Sequence, residues 1–247
     1  MEQGEYRRLY ELEENLWWFR GMERISTALL DRFVDSERQL DLLDAGCGTG
    51  GMLSALTRYG TATGLDLSRD ALRFARKRND AALTRGSVTN LPFKDDSFDL
   101  VTSFDVLYHL SVSDDVEALR EIARVIRPGG TLLVRVPAFE ALRSRHDEAV
   151  HTRQRYGKQE LTEKLRRAGL EPVFVSFANC LLFPVAVLRR GAERVFGSRR
   201  EGSEVEAVGP VLNKMLLLPL RIEAWLLRRT ALPFGLSLVA VARKPGA

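Results

Sequence analysis

The chain reads as an α/β protein built on a mostly parallel sheet, and three observations predict it. From residue 40 to residue 137 short apolar runs alternate with helical patterns. The first run, Leu40 to Ala45, ends in the glycine-rich loop Gly46-Cys47-Gly48-Thr49-Gly50. The second, Thr61 to Leu67, carries Asp66 twenty residues after Gly46. Strands separated by helices of that length need crossover connections, which are right-handed and leave neighbouring strands parallel.

The elements follow in order. Leu9, Leu12, Leu16, Phe19 and Ile25 recur at helical spacing, so residues 5–34 read as helix. Trp17-Trp18-Phe19 interrupts that pattern with an aromatic cluster suited to core packing or to a lid over a pocket. Gly51 to Tyr59 reads as the helix after the first strand. Ser68 caps a helix reaching about Asn79, with Asp70 in its first turn. Ala82 to Arg85 and Phe98 to Phe104 are the third and fourth strands. A helix from Ser113 to Val125 is ended by Arg127-Pro128-Gly129-Gly130, and Thr131 to Pro137 is the fifth strand. Gln159 to Ala168 is a helix closed by Gly169, Glu171 to Phe177 a sixth strand, and Ser237 to Ala242 the last.

Composition narrows the class. A chain of 247 residues, 45% hydrophobic and 28% charged, can bury a core and suits one domain with an insertion. The net charge is +4, and between Cys180 and Thr230 nine Lys/Arg stand against five Asp/Glu, an excess of the same size. The basic character therefore belongs to one Leu-rich segment, not to a broad stripe, and a nucleic-acid partner is not expected. Cys47 and Cys180 provide neither a disulfide framework nor zinc spacing, and no metal is expected. The start lacks an apolar signal core, and the longest apolar run, Cys180 to Leu188, is too short to span a bilayer. The expected setting is the cytoplasm, with the inner membrane face open as a site of peripheral contact.

The glycine loop lets the backbone turn sharply and approach a ligand, next to free N–H groups at the following helix start. A carboxylate at Asp66 can accept both hydroxyls of a ribose. Alone, such a loop fits a dinucleotide as well. Two further stretches narrow it: Phe98-Asp99-Leu100-Val101-Thr102-Ser103-Phe104-Asp105-Val106-Leu107-Tyr108-His109-Leu110, and Leu119-Arg120-Glu121-Ile122-Ala123-Arg124-Val125-Ile126-Arg127-Pro128-Gly129-Gly130-Thr131-Leu132-Leu133. With these in order, residues 40–137 resemble the class I S-adenosylmethionine-dependent methyltransferases.

The resemblance implies a Rossmann-like seven-stranded sheet whose last strand is antiparallel. It implies S-adenosyl-L-methionine as cofactor and S-adenosyl-L-homocysteine as product. Gly46, Cys47, Gly48 and Gly50 would lie against the methionine part, with Asp44 orienting its amino group. Asp66 would bind the ribose and Leu67 would pack on the adenine. Phe104 and Asp105 would line the methyl-donor side. Where many relatives carry an acid for the adenine amino group, this chain has Gly86-Ser87-Val88, so Ser87 or the main chain at Val88 would take that contact. His109 and Arg20 complete the expected cofactor set.

Methyl transfer needs a base only when the nucleophile holds its proton tightly. The candidates are His109, His146, His151 and Tyr156. The last three belong to the cluster Arg143, Arg145, His146, Asp147, Glu148, His151, Arg153, Arg155 and Tyr156, which follows the fifth strand. That cluster suits anion recognition with a histidine base, or a solvated charged loop. A subset of bacterial methyltransferases is similar in this segment, in Trp17-Trp18-Phe19-Arg20 and in the late Leu/Arg-rich insert.

The expected organisation is a single domain, residues 1–247. Residues 1–38 form a helical lid, 39–178 and 235–245 the core, and 179–234 a helical insert between strands six and seven. Apolar faces flanked by Arg in 180–230 suit packing on the sheet, a cap over an apolar pocket, a dimer contact or an anionic membrane surface. The expected function is methyl transfer to a small, apolar, lipid-like or prenyl acceptor, with O-methylation favoured over C- or N-methylation, by a monomer or homodimer. The alternative is a protein that binds S-adenosylmethionine without transferase activity, or uses it for another reaction.

Overall fold

The computed structural model describes residues 3–35, 38–143, 147, 151–188 and 208–246. Seven strands form one sheet: β1 (Leu40–Ala45), β2 (Gly60–Asp66), β3 (Ala82–Arg85), β4 (Phe98–Phe104), β5 (Ile126–Pro137), β6 (Glu171–Ala178) and β7 (Ser237–Arg243). Their order is β3-β2-β1-β4-β5-β7-β6. β7 runs antiparallel to both neighbours, and every other pairing is parallel. The expected architecture is therefore present. The order reverses between β1 and β4, the point where open sheets of this kind leave a crevice beyond their carboxyl ends.

Helices cover both faces. On one, α5 (Asp115–Val125) and α6 (Lys158–Arg167) bury Leu119, Ile122, Leu161 and Leu165 against Leu43, Val101, Leu132 and Val134. On the other, α2 (Trp17–Phe33) and α7 (Pro210–Leu227) bury Met22, Ile25, Leu29, Leu220 and Leu227 against Leu42, Leu100, Leu133 and Val241. Alternate strand residues serve opposite faces, as the pleat requires. α4 (Arg69–Arg78) starts at Ser68, whose hydroxyl accepts the Ala71 N–H, and α5 starts at Asp114, which accepts from Val116 and Glu117.

The larger departures from expectation lie in the N-terminal helices, the segment after the glycine loop, β5 and the insert. Residues 5–34 are two helices, α1 (Gln3–Glu13) and α2, not one. Leu16 is buried at the break, and Asn213 of α7 bridges it, donating to the Asn15 carbonyl and accepting the Trp17 N–H. A side chain almost two hundred residues away thus satisfies the main chain that the break exposes. The helix after the glycine loop, α3 (Leu53–Leu56), is one turn and does not fill 51–59. β5 begins at Ile126, because Ile126 pairs with Phe98 before an irregularity at Gly129 resets the register. Within the insert, residues 183–188 are helical and α7 lies along α2 on the sheet face. Its Asn213 end meets Trp17 of α2. Residues 189–207 lie outside the described residues.

Candidate functional site

The glycine loop turns directly off β1. Gly46, Gly48 and Gly50 have φ of +94°, +54° and +83°, conformations that side chains resist. A Cβ on Gly46 would stand 2.2 Å from Val106, so the loop is also packed too tightly for any other residue there. A Cβ on Gly48 would meet nothing within 4 Å, which marks open space beside that main chain. The Cys47 side chain turns the other way, into the core against the Gly64 position, and burial pushes its thiol up. Only its main chain faces the loop's ligand side.

Carboxylates surround that open space. Asp66 ends β2 and accepts the Gly48 N–H at 2.9 Å and the Ser68 N–H at 2.8 Å. Asp44 is 2% exposed and accepts the Thr102 hydroxyl at 2.8 Å. Burial raises its carboxyl to about 7, with the charge of Asp66 adding to the effect and Thr102 opposing it. Burial likewise raises Asp66. From α1, Glu13 accepts from the Thr49 hydroxyl and pairs with Arg78, and its carboxyl too is raised by burial. Leu67, next to Asp66, is 50% exposed, an apolar platform at the rim.

The carboxyl edge is also where the backbone is strained. Of five non-glycine residues with positive φ among those described, Asp105, Phe139 and Asn179 directly follow β4, β5 and β6 or lie one residue beyond, and His151 lies in the loop after β5. Such conformations cost about 1–3 kcal/mol each and gather at functional sites. Asp105 is paired with Arg135, whose guanidinium reaches it at 2.6 and 2.9 Å and lies 5.0 Å over the Phe104 ring. Arg135 is 8% exposed, and its Nη1 has no hydrogen-bond partner among the described residues. His109 and His151 face each other with ring centroids 5.9 Å apart. Ser111 shares a hydrogen bond with His109 Nδ1, and burial, together with the neighbouring His151, holds His109 below its ordinary value.

The described members of the charged cluster after β5 pair largely with the chain itself. Arg155 pairs with Asp147 at 2.8 and 3.1 Å and donates to the Ala138 carbonyl. Arg143 donates to the carbonyls of Thr152 and Arg153. Among the described members, these arginines hold the loop together. Tyr156 is 1% exposed, and its hydroxyl meets Asp115 at 2.7 Å and the Leu107 carbonyl at 3.2 Å. It braces the core, and the structure corrects its assignment as a base. His146 lies outside the described residues. Arg20 is half-exposed and paired with Glu23 at 3.3 Å; no described contact links it to the glycine loop. The Ser87 hydroxyl is shared with Thr89, and the Val88 side chain is buried.

Known proteins are similar to this chain. The family model described as a methyltransferase domain matches residues 43–134. A probable S-adenosylmethionine-dependent methyltransferase of Mycobacterium tuberculosis is 31% identical over 209 residues, 82% of this chain and 72% of that protein. The chain belongs to the S-adenosylmethionine-dependent methyltransferases. A probable methyltransferase of the same kind from Mycolicibacterium smegmatis is 34% identical over 167 residues, 65% of this chain. A fatty-acid O-methyltransferase of that organism is 43% identical over 98 residues, 37% of this chain. The chain spans 62% and 35% of the length of these two relatives. Among solved structures, a methyltransferase in complex with the Haloferax volcanii Trm112 methyltransferase activator superposes with a TM-score of 0.65 at 25% identity, covering 99% of this chain and 96% of that one.

The site suits the family's cofactor. S-adenosylmethionine carries an ammonium and a sulfonium, and here burial raises both Asp44 and Asp66, with the charge of Asp66 adding to the effect at Asp44, around an open loop face. Buried carboxylates raised in this way favour a cationic ligand. Three residues at this methyltransferase site were not foreseen. Arg135 had a signal, a lone cation inside the apolar run Leu132 to Val136. Glu13 and Thr49 had none, because their meeting depends on how α1 docks.

Proposed function

We propose that this methyltransferase transfers a methyl group from S-adenosylmethionine to a small acceptor with a large apolar part, O-methylation being favoured. The observation that carries the reading is the juxtaposition, at one sheet edge, of the carboxylate-lined glycine loop and the His109–His151 pair. When bound, the cofactor supplies an electrophilic methyl group. Asp66 would hold the ribose, Asp44 the ammonium, Leu67 the adenine face, and the Val88 main chain the adenine amino group, since Thr89 occupies the Ser87 hydroxyl. Phe104 and Asp105, fixed by Arg135, would bound the methyl side.

The acceptor would lie against Phe139, Phe183 and Phe234, with the buried Phe177 beneath them. Phe139 stacks on Phe177 at 5.0 Å, and Phe183 packs against Phe139 and Phe234 beyond β5 and β6. This aromatic surface, and the fatty-acid O-methyltransferase relative, favour a lipid-like or prenyl acceptor. His109, held neutral at pH 7, can take a hydroxyl proton through its ring, with His151 beside it. A carboxylate acceptor would need no base.

The test is S-adenosylhomocysteine release on offering fatty acids, prenyl alcohols and hydrophilic alcohols in parallel. Turnover restricted to the apolar acceptors supports the reading, and binding without turnover on any of them returns the chain to a cofactor-binding role. With a hydroxyl acceptor, His109→Gln or His151→Gln is expected to lower kcat about a hundredfold while leaving S-adenosylhomocysteine affinity unchanged. In the parent protein the acid limb of kcat/KM should lie below pH 6.5, and His109→Gln should remove it. Two variants with full turnover would exclude a histidine base from the described residues.

We also propose that α1 closes over the cofactor. Glu13, Thr49 and Arg78 join it to the loop, and Arg78 lies 4.3 Å over the Tyr10 ring. Glu13→Ala should raise the dissociation rate of S-adenosylhomocysteine by about threefold to tenfold, as loss of one or two hydrogen bonds to a charged group implies. Stopped-flow measurement of that rate checks it. Among the described residues no helix is long and apolar enough to cross a membrane. Contact at the inner membrane face through 180–230 is part of this reading.

A further inference from the structure

α7 buries one side and leaves the other bare. Leu220, Glu223, Ala224 and Leu227 face inward. Val211, Met215, Leu218, Ile222 and Trp225 are 72%, 66%, 55%, 45% and 55% exposed. Their spacing of four, three, four and three residues sets all five on a single stripe, opposite the buried side. At 1.5 Å per residue the stripe is roughly 20 Å long. A row of large apolar side chains of this size on a helix that is already packed has a solvation cost that only an outside surface can relieve.

The charges that α7 itself presents around the stripe have one sign. Lys214, Arg221 and Arg228 are exposed along one flank, and Arg229 lies 4.3 Å over the Trp225 ring at the end. Arg228 also pairs with Asp31 of α2 at 2.7 Å. The only acid from residue 208 to residue 231 is Glu223, which is fully buried and accepts the Leu181 N–H. The solvent side of the helix is therefore apolar and cationic, with no carboxylate of its own.

We propose that this face docks α7 lengthwise on an anionic lipid surface, the apolar stripe entering the acyl boundary while Lys214, Arg221 and Arg229 meet the headgroups. Charge decides the occupant. A second copy seated on the same face would bring it only further cations and no carboxylate, whereas an anionic bilayer complements all of them. Trp225 adds an aromatic ring suited to headgroup depth. The inference names the surface behind the proposed membrane contact. It stands apart from the acceptor's identity, since it concerns the outer side of α7 and not the carboxyl edge of the sheet.

The test is flotation of the full chain with vesicles of phosphatidylglycerol and phosphatidylcholine, beside vesicles of phosphatidylcholine alone. Binding is expected on the anionic vesicles, weakened by salt, with little on the neutral ones. Met215→Glu/Ile222→Glu should lower the partition coefficient at least about tenfold, and Lys214→Gln/Arg221→Gln should reduce it on anionic vesicles only. All four positions face solvent, so S-adenosylhomocysteine affinity and Tm should not move. Met215→Ser/Ile222→Ser serves if the glutamates disturb the fold. No binding to anionic vesicles, or equal binding of parent and variants, overturns the proposal. So does a doubled mass by light scattering that the glutamate variant abolishes, which would assign the face to a second copy. Turnover on a soluble acceptor with no vesicle binding would sink this inference alone, and vesicle binding with no turnover would sink the proposed activity alone.

Discussion

Asp66→Ala is expected to weaken S-adenosylhomocysteine binding at least about tenfold, the order that follows from losing hydrogen bonds to a charged group. Two losses combine. The carboxylate proposed to accept the ribose hydroxyls disappears, and the Gly48 N–H and Ser68 N–H that it now holds at 2.9 and 2.8 Å are released. Asp66→Asn separates them. The amide keeps one acceptor oxygen for the loop but neither the charge nor a second acceptor. If the ribose contact dominates, Asn should be nearly as weak as Ala by calorimetry. If the loop contact dominates, Asn should recover most of the affinity, and the Tm of the empty Ala variant should fall by several degrees, as about 1 kcal/mol implies for a domain of this size. Parent-like affinity in both variants would remove Asp66 from the cofactor site.

That Asp66 could be singled out at all reflects how local the cofactor half of the site is. The glycine loop and the end of β2 are each settled by a few consecutive residues: φ above zero demands glycine, and a carboxylate closing a strand beside such a loop has few other uses. β3 and β4 were legible to the residue for a similar reason, being apolar runs bounded by turn signals on both sides. The failures share the opposite property. Helical periodicity runs unbroken through Asn15 and Leu16, and the chain breaks there because Asn213 supplies a cap from a helix far along the sequence. Pro128 and Gly129 signal a turn, yet Ile126 ahead of them already pairs with Phe98. Tyr156 sits in a stretch crowded with charged residues, but Asp115, Lys164 and Gln154 draw that stretch inward. A charged sequence reports that charges are present; whether they face a ligand or one another is decided by elements that are distant in the chain. The proposed acceptor side, in the loops after β5 and β6, is of this second kind.

Cofactor affinity should also depend steeply on pH, through Asp44. Its carboxyl is raised to about 7, by burial first and by the charge of Asp66 next, so much of it is protonated in the empty protein at neutral pH and below. Only the ionised form can hold an ammonium, and an ammonium in contact would bring the carboxyl well below its unbound value. Binding near pH 6 should then release close to one proton for each cofactor bound. Affinity for S-adenosylhomocysteine should fall about a hundredfold from pH 8 to pH 5, by the linkage of tenfold per unit below a pKa of 7. Titration calorimetry in buffers of different ionisation enthalpy reads the proton directly. The empty fold should respond in the other direction. A carboxyl raised in the folded state contributes stability that is full below its unfolded value of 3.8 and is lost as the pH climbs through about 7. Acid therefore strengthens this part of the empty site while weakening its hold on the cofactor. Asp44→Asn should flatten both responses and bind weakly even at pH 8, since a neutral amide keeps the space but not the charge. An affinity that is level between pH 8 and pH 5 in the parent protein, with no proton released, would show that the ammonium does not meet Asp44.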